Sequence, residues 1–143
     1  MRKCSAIMKR NVAALPITAT LLQAAQLMKE SCCGLIPVCN DEGAVVGVIT
    51  DRDVVVRACV SGIALDTTPA AAVMTSRVVS CRSDEPISRA EHLMAQHKVW
   101  RVLVIDDRRL VGLVSLTDIA QSEEPLLVAR VLRHVTSRQY RVE

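Results

Sequence analysis

Two short stretches of this sequence combine residue types that can do chemistry: Gly47-Val48-Ile49-Thr50-Asp51-Arg52-Asp53 and Gly112-Leu113-Val114-Ser115-Leu116-Thr117-Asp118. Both follow the pattern G-h-h-[ST]-x-x-D, with h apolar. The pattern puts a hydroxyl where a strand gives way to a helix, and a carboxylate one turn later. A helix N-terminus carries unpaired N–H groups and partial positive charge, so it suits an anion. A carboxylate there can accept hydrogen bonds from vicinal sugar hydroxyls, as the acidic residue of a dinucleotide site does. The same spacing also reads as a capping box, with Thr50 or Ser115 as the N-cap. The two roles are compatible, since the hydroxyl can cap while the Asp faces a cleft.

Other reactive side chains form weaker patterns. The six cysteines, at 4, 32, 33, 39, 59 and 81, show no CxxC spacing, so the usual zinc and thioredoxin-like signatures are missing. They are expected to be free thiols serving as small core hydrophobes in a reducing cytoplasm. His92 and His97 are five positions apart, roughly 500° of helical rotation, and do not share a face for a metal. No Walker A, GxGxxG or Gly-x-Ser-x-Gly motif occurs, and no His stands near a cysteine as a base. The expectation is no metal, no catalytic residue and no enzyme.

Composition narrows the classes further. Half of the 143 residues are apolar, but there is no Phe, one Trp (Trp100) and one Tyr (Tyr140). Such a core suits β-branched strands packed on Ala/Leu/Met helices. Scarce aromatics and a net charge of +3 weigh against nucleic acid as the main partner. An Arg-rich C-terminal tail (Arg130, Arg133, Arg138, Arg141) keeps nucleic-acid binding as an alternative. Neither a signal peptide nor an apolar run long enough for a membrane span is evident.

The elements that position the two motifs come from an internal duplication. Written above one another, Met8 falls on Met74, Val12 on Val78, Ala24 on Ala90, Leu27-Met28 on Leu93-Met94, Val38 on Val104 and Asp53 on Asp118. One residue is lost in a turn between Asp41/Asp107 and Val46/Val111. Each copy reads β-α-β-β-α. Short strands are predicted near 12–15 and 78–81, and amphipathic helices over 21–31 and 87–97. Thr20 is a plausible N-cap for the first helix, and Asp84-Glu85-Pro86 opens the second. Hairpins 35–50 and 101–115 turn at Asn40-Asp41-Glu42-Gly43 and at Asp106–Arg109. A further helix starts after Thr50 and after Ser115. The predicted division is a first repeat over 1–61 with its N-terminal segment, a linker over 62–72, a second repeat over 73–122 and a helical tail over 123–143. Asp66-Thr67-Thr68-Pro69 reads as the capped start of a short helix in the linker.

With paired G-h-h-[ST]-x-x-D motifs, the Gly34-Leu35-Ile36-Pro37-Val38 strand and leading methionines, the sequence resembles the CBS-domain family, named after cystathionine β-synthase. The resemblance runs from about Cys4 to Ser122 and includes small stand-alone bacterial pairs of the hypoxic-response type. It implies an α/β (α+β) fold of two β-α-β-β-α repeats packed as a pseudo-twofold pair, with two clefts each drawn from both repeats. One cleft would combine Ser115, Asp118 and Arg101 with Ala13, Cys33, Gly34 and Pro37. There Asp118 would hold ribose hydroxyls, and Arg101 would offer phosphate a planar fork. The other would combine Thr50, Arg52 and Asp53 with Val79, Val99 and Trp100. In that cleft Trp100 replaces the small Gly34 and Leu35 stands where the first has Arg101, so the Arg101 cleft ranks first. Trp100 either stacks on a purine or packs at the module edge.

The implied function is regulatory: binding of AMP, ADP or ATP, or less readily of S-adenosylmethionine or NAD(H), by a cytoplasmic homodimer that signals to an effector protein. The competing reading is an interaction scaffold that binds no ligand.

Overall fold

The computed structural model describes residues 1–137. The fold is mixed α+β, with one three-stranded sheet from each repeat. Residues 13–78 form one compact unit, and residues 1–12 with 79–137 form the other.

In the unit of residues 13–78 the order is β1 (Leu15–Pro16), α1 (Leu21–Ser31), β2 (Leu35–Cys39) and β3 (Val45–Thr50), followed by a helical turn. β1 runs parallel to β2, with Leu15 opposite Val38, and β2 pairs antiparallel with β3, with Leu35 opposite Thr50. The capping residue Thr20 starts α1: its hydroxyl accepts the Gln23 N–H at 3.2 Å, and the Gln23 amide oxygen accepts the Thr20 N–H at 2.9 Å. Leu21, Ala24, Ile36, Val38, Ile49 and Ala58 are fully buried against one another. Burying side chains of this size contributes about 1.5–3 kcal/mol for each large aliphatic one.

The other unit repeats this with β4 (Ser80–Cys81), α2 (Ile87–His97), β5 (Arg101–Asp106), β6 (Arg109–Ser115) and α3 (Leu116–Ser122), then adds α4 (Pro125–Thr136). The β5–β6 hairpin closes on Asp106 opposite Arg109, and the two residues between, Asp107 and Arg108, have φ of 48° and 68°. Positive φ at both central positions matches the strand twist and makes the tight turn. In the first repeat the turn is one residue longer, and Gly43 alone takes the left-handed region at φ 80°. α4 lays Val131 and Val135 into the core and leaves Leu126 and Leu132 exposed.

Each sheet is completed by the segment that leads the other repeat. The N-terminal segment, read from sequence with the first repeat, packs with the second: Lys9 exchanges both backbone hydrogen bonds with Leu113 at 2.9 Å, and Met8 lies on Gly112. In mirror fashion Thr75 exchanges backbone bonds with Val48 at 2.8 and 2.9 Å, and Met74 lies on Gly47. A Cβ at Gly47 would come within 2.6 Å of the Met74 sulfur and 2.9 Å of the Thr75 carbonyl oxygen. At Gly112 it would meet the Met8 sulfur at 2.6 Å and the Lys9 carbonyl oxygen at 3.0 Å. The motif glycine is therefore a notch for the incoming methionine.

Several local expectations shift. The first strands are shorter than predicted, since regular parallel pairing begins only at Leu15 and Ser80. In the linker, Asp66 and Thr67 cap no helix. Pro69 instead bridges to Thr20, and a single 3-10 turn, Ala70–Ala72, follows. Pro86 occupies the N-cap of α2 itself, without a side-chain cap. The helix after Thr50 winds as a π-helix over Asp53–Cys59. Its Val54-Val55-Val56 run is β-branched and crowds an α-helical turn, whereas the second repeat has Ile119-Ala120-Gln121 there and stays α-helical. Cys32 and Cys59 are exposed rather than core thiols, while Cys4 and Cys81 are buried.

Candidate functional site

The two motif helix starts are built alike. Ser115 caps α3: its hydroxyl accepts the Asp118 N–H at 3.2 Å, and Asp118 Oδ2 accepts the Ser115 N–H at 2.7 Å and its hydroxyl at 2.6 Å. Thr50 and Asp53 do the same, at 3.1, 3.0 and 2.9 Å. The capping-box reading of the sequence is thus realised in both repeats. It uses one carboxylate oxygen of each Asp.

The other oxygen separates the repeats. Asp53 Oδ1 lies 3.8 Å from Arg57, whose guanidinium also donates to the Val73 carbonyl at 2.9 Å. The residue corresponding to Arg57 is Ser122, whose hydroxyl donates back to the Asp118 carbonyl at 2.6 Å. Asp118 Oδ1 has no hydrogen-bond or ion-pair partner among the described residues. It is a half-buried acceptor at a helix N-terminus, beside donors that already hold its twin.

The remaining predicted residues fall on strand starts. Arg101 opens β5, is exposed, and enters no ion pair among the described residues. Arg52 is likewise exposed, on the first helical turn after Thr50. Trp100 is 54 % exposed, so its indole is not a buried packing residue. Its backbone carbonyl accepts the Leu116 N–H at 2.9 Å, as the Gly34 carbonyl accepts the Asp51 N–H at 3.0 Å. A Cβ at Gly34 would stand 2.7 Å from Asp51 Oδ2, so the Asp51 side chain lies directly over position 34. In the second repeat Leu116 replaces Asp51, and a tryptophan is tolerated. Ala13, Val79 and Val99 are half-buried, Pro37 is buried within β2, and the Cys33 thiol donates to the Leu35 carbonyl at 3.2 Å. Arg130 and Arg133 of the basic tail lie on α4 along a surface groove with Leu126, Ala129 and His134, whereas Arg138, Tyr140 and Arg141 lie outside the described residues.

A duplicated sheet-and-helix unit with a hydroxyl–carboxylate pair at each second helix start defines the class. Residues 4–58 and 70–124 each match the CBS domain model, and the chain belongs to the CBS-domain family as a tandem pair. It is similar to the CBS domain-containing protein YhcV of Bacillus subtilis, 36 % identical over 81 % of either chain. It also resembles hypoxic response protein 1 of Mycobacterium tuberculosis, 34 % identical over 80 % of either chain. The crystal structure of hypoxic response protein I with two coordinated zinc ions matches with a TM-score of 0.79 at 32 % identity, covering 86 % of this chain and 100 % of that one. A CBS domain protein of Pyrobaculum aerophilum complexed with AMP matches at 0.77 and 24 % identity, over 92 % and 98 % of the two chains. The CBS pair of protein MJ0100, in complex with 5-methylthioadenosine and S-adenosyl-L-methionine, matches at 0.75 and 23 %, over 91 % and 98 %. These last two likenesses establish the shared fold.

No three His, Cys, Asp or Glu side chains gather as metal ligands among the described residues. Nor is any helix among them long and apolar enough to cross a membrane.

Proposed function

We propose that this chain is a regulatory module that binds an adenine nucleotide or a related adenosyl compound and passes the signal to a separate protein. The observation that carries the reading is Asp118: one carboxylate oxygen is fixed by its cap, and the other has no partner among the described residues, at a helix N-terminus. A pre-oriented acceptor of this kind suits the paired hydroxyls of a ribose. Arg101, exposed and without an ion-pair partner among the described residues, supplies charge for a phosphate. We assign Ala13, Cys33, Gly34 and Pro37 to the same ligand, as the family resemblance implies. The AMP of the Pyrobaculum protein and the adenosyl compounds of the MJ0100 pair support the ligand class.

The second cleft, with Thr50, Arg52, Asp53, Val79, Val99 and Trp100, ranks lower because Arg57 already pairs with Asp53. Exposed Trp100 offers a stacking face for a purine. The module works by binding, without a catalytic step, as a cytoplasmic homodimer. Ligand shifts the population between two states that the effector distinguishes.

Titration calorimetry with AMP, ADP, ATP and S-adenosylmethionine tests this on wild type, Asp118→Asn and Arg101→Gln. Asp118→Asn keeps an acceptor for the cap and is expected to weaken binding at least about tenfold. Arg101→Gln is expected to weaken the phosphate-bearing ligands and leave S-adenosylmethionine unaffected. Folded wild type that binds none of the four sinks the reading and leaves a scaffold.

A further inference from the structure

Two thiols that serve no purpose in ligand binding lie together in one core. Cys4 sits in the 3-10 turn Cys4–Ala6 and Cys81 ends β4; their relative exposures are 0 % and 4 %. The sulfurs are 3.7 Å apart, although the residues are separated by 77 positions. Cys81 donates to Cys4, and Cys4 donates to the Pro86 carbonyl at 3.5 Å. The turn is held by the Cys4 N–H to the Glu85 carbonyl at 2.8 Å and by the Ser5 N–H to the Ser83 carbonyl at 3.0 Å. No other pair of cysteines makes a sulfur–sulfur contact among the described residues.

We infer that Cys4 and Cys81 are a reversible oxidation site, at which a hydroperoxide closes a disulfide that ties the N-terminal segment to the second repeat. The hydrogen bond from Cys81 holds the Cys4 thiol below its ordinary value, while the same bond and burial push Cys81 up. Cys4, in the short turn that opens, is the attacking sulfur, and Cys81, at the end of β4, is the resolving one. The Cys4 sulfur attacks one peroxide oxygen, the O–O bond breaks, and with one proton the other oxygen leaves as water. The Cys81 sulfur then attacks the sulfenic sulfur of Cys4; the S–S bond forms, and the sulfenic oxygen takes the Cys81 proton and leaves as a second water. Two electrons pass from the two sulfurs to the peroxide. A thiol reductant reverses the change. Both sulfurs are shielded, so the oxidant reaches them when the 3-10 turn opens locally.

The closing experiment treats the full chain with hydrogen peroxide, alkylates remaining thiols, and digests with trypsin without reductant. Cleavage isolates Cys4 in residues 4–9 and Cys81 in residues 78–82. The expected product joins these two peptides, about 2 Da lighter than their sum, and is reversed by dithiothreitol. Cys4→Ala and Cys81→Ala each abolish it, and oxidised wild type melts at a higher temperature than reduced. Recovery of both peptides alkylated, from a sample in which exposed Cys32 or Cys59 is oxidised, overturns the inference. So does Cys4 joined to a different cysteine.

Discussion

Asp53 and Asp118 occupy the same place in the two repeats and make the same cap, yet among the described residues only Asp53 is held on both oxygens. The difference comes from a single residue one turn further on, Arg57 against Ser122. The first repeat spends its carboxylate on internal structure, where Arg57 also clasps the carbonyls of Val73 and Met74. The second leaves an acceptor available. The same cap thus need not leave the same carboxylate chemistry exposed, and the residue that makes the difference lies outside the motif.

The comparison can be broken or sharpened in order of expected size. The largest effect belongs to what the repeats share. Gly47→Ala and Gly112→Ala each force a Cβ into a backbone carbonyl and a methionine sulfur, and each is expected to cost about 3 kcal/mol in urea unfolding. A large cost at one glycine alone would show that the two notches are not equivalent. Removing the carboxylates comes next. Asp118→Ala loses its share of the cap, about 1 kcal/mol, and Asp53→Ala should cost roughly 0.5 kcal/mol more because its ion pair with Arg57 goes too.

A third contrast lies on the helices. Glu91 of α2 is buried where α1 has Ala25, and burial, with the charge of Glu123 adding to it, raises its carboxyl above the ordinary 4.5. The folded protein then holds this proton more tightly than the unfolded chain. Stability should therefore fall as pH rises from about 4.5 through the raised value. Glu91→Gln should remove that slope and be more stable than wild type at neutral pH, as thermal melts across pH would record. The smallest effect is expected for Arg57→Ala, about 0.5 kcal/mol for a half-exposed pair. Its sharper readout is ligand binding: freeing Asp53 should strengthen any adenosyl binding at the first-repeat motif.

Much of this was legible in the sequence, because it is local. Helices over 21–31 and 87–97, both hairpins and both caps depend on periodicity and on contacts three or four residues apart. The exchange of leading segments was not legible. Met8 and Met74 are the same residue type facing the same glycine notch, so no sequence pattern states which methionine serves which glycine. The Cys4–Cys81 contact was hidden for the same reason, since it follows from the exchange. The asymmetry of the aspartates was hidden differently: Arg57 was visible, but its reach to both Asp53 and the linker carbonyls is a matter of three-dimensional geometry.

The exchanged segments bear on how the molecule is taken apart. Residues 13–78 are an uninterrupted stretch, while the other unit is assembled from both ends of the chain, so one unit is topologically an insertion within the other. A gene cut midway between the repeats would produce halves that each carry the wrong methionine and an empty notch. Cuts before residue 13 and after residue 78 would instead release a piece that retains its own Met74 and linker turn. Fusions, truncations and split reporters built on this protein should place their joints there.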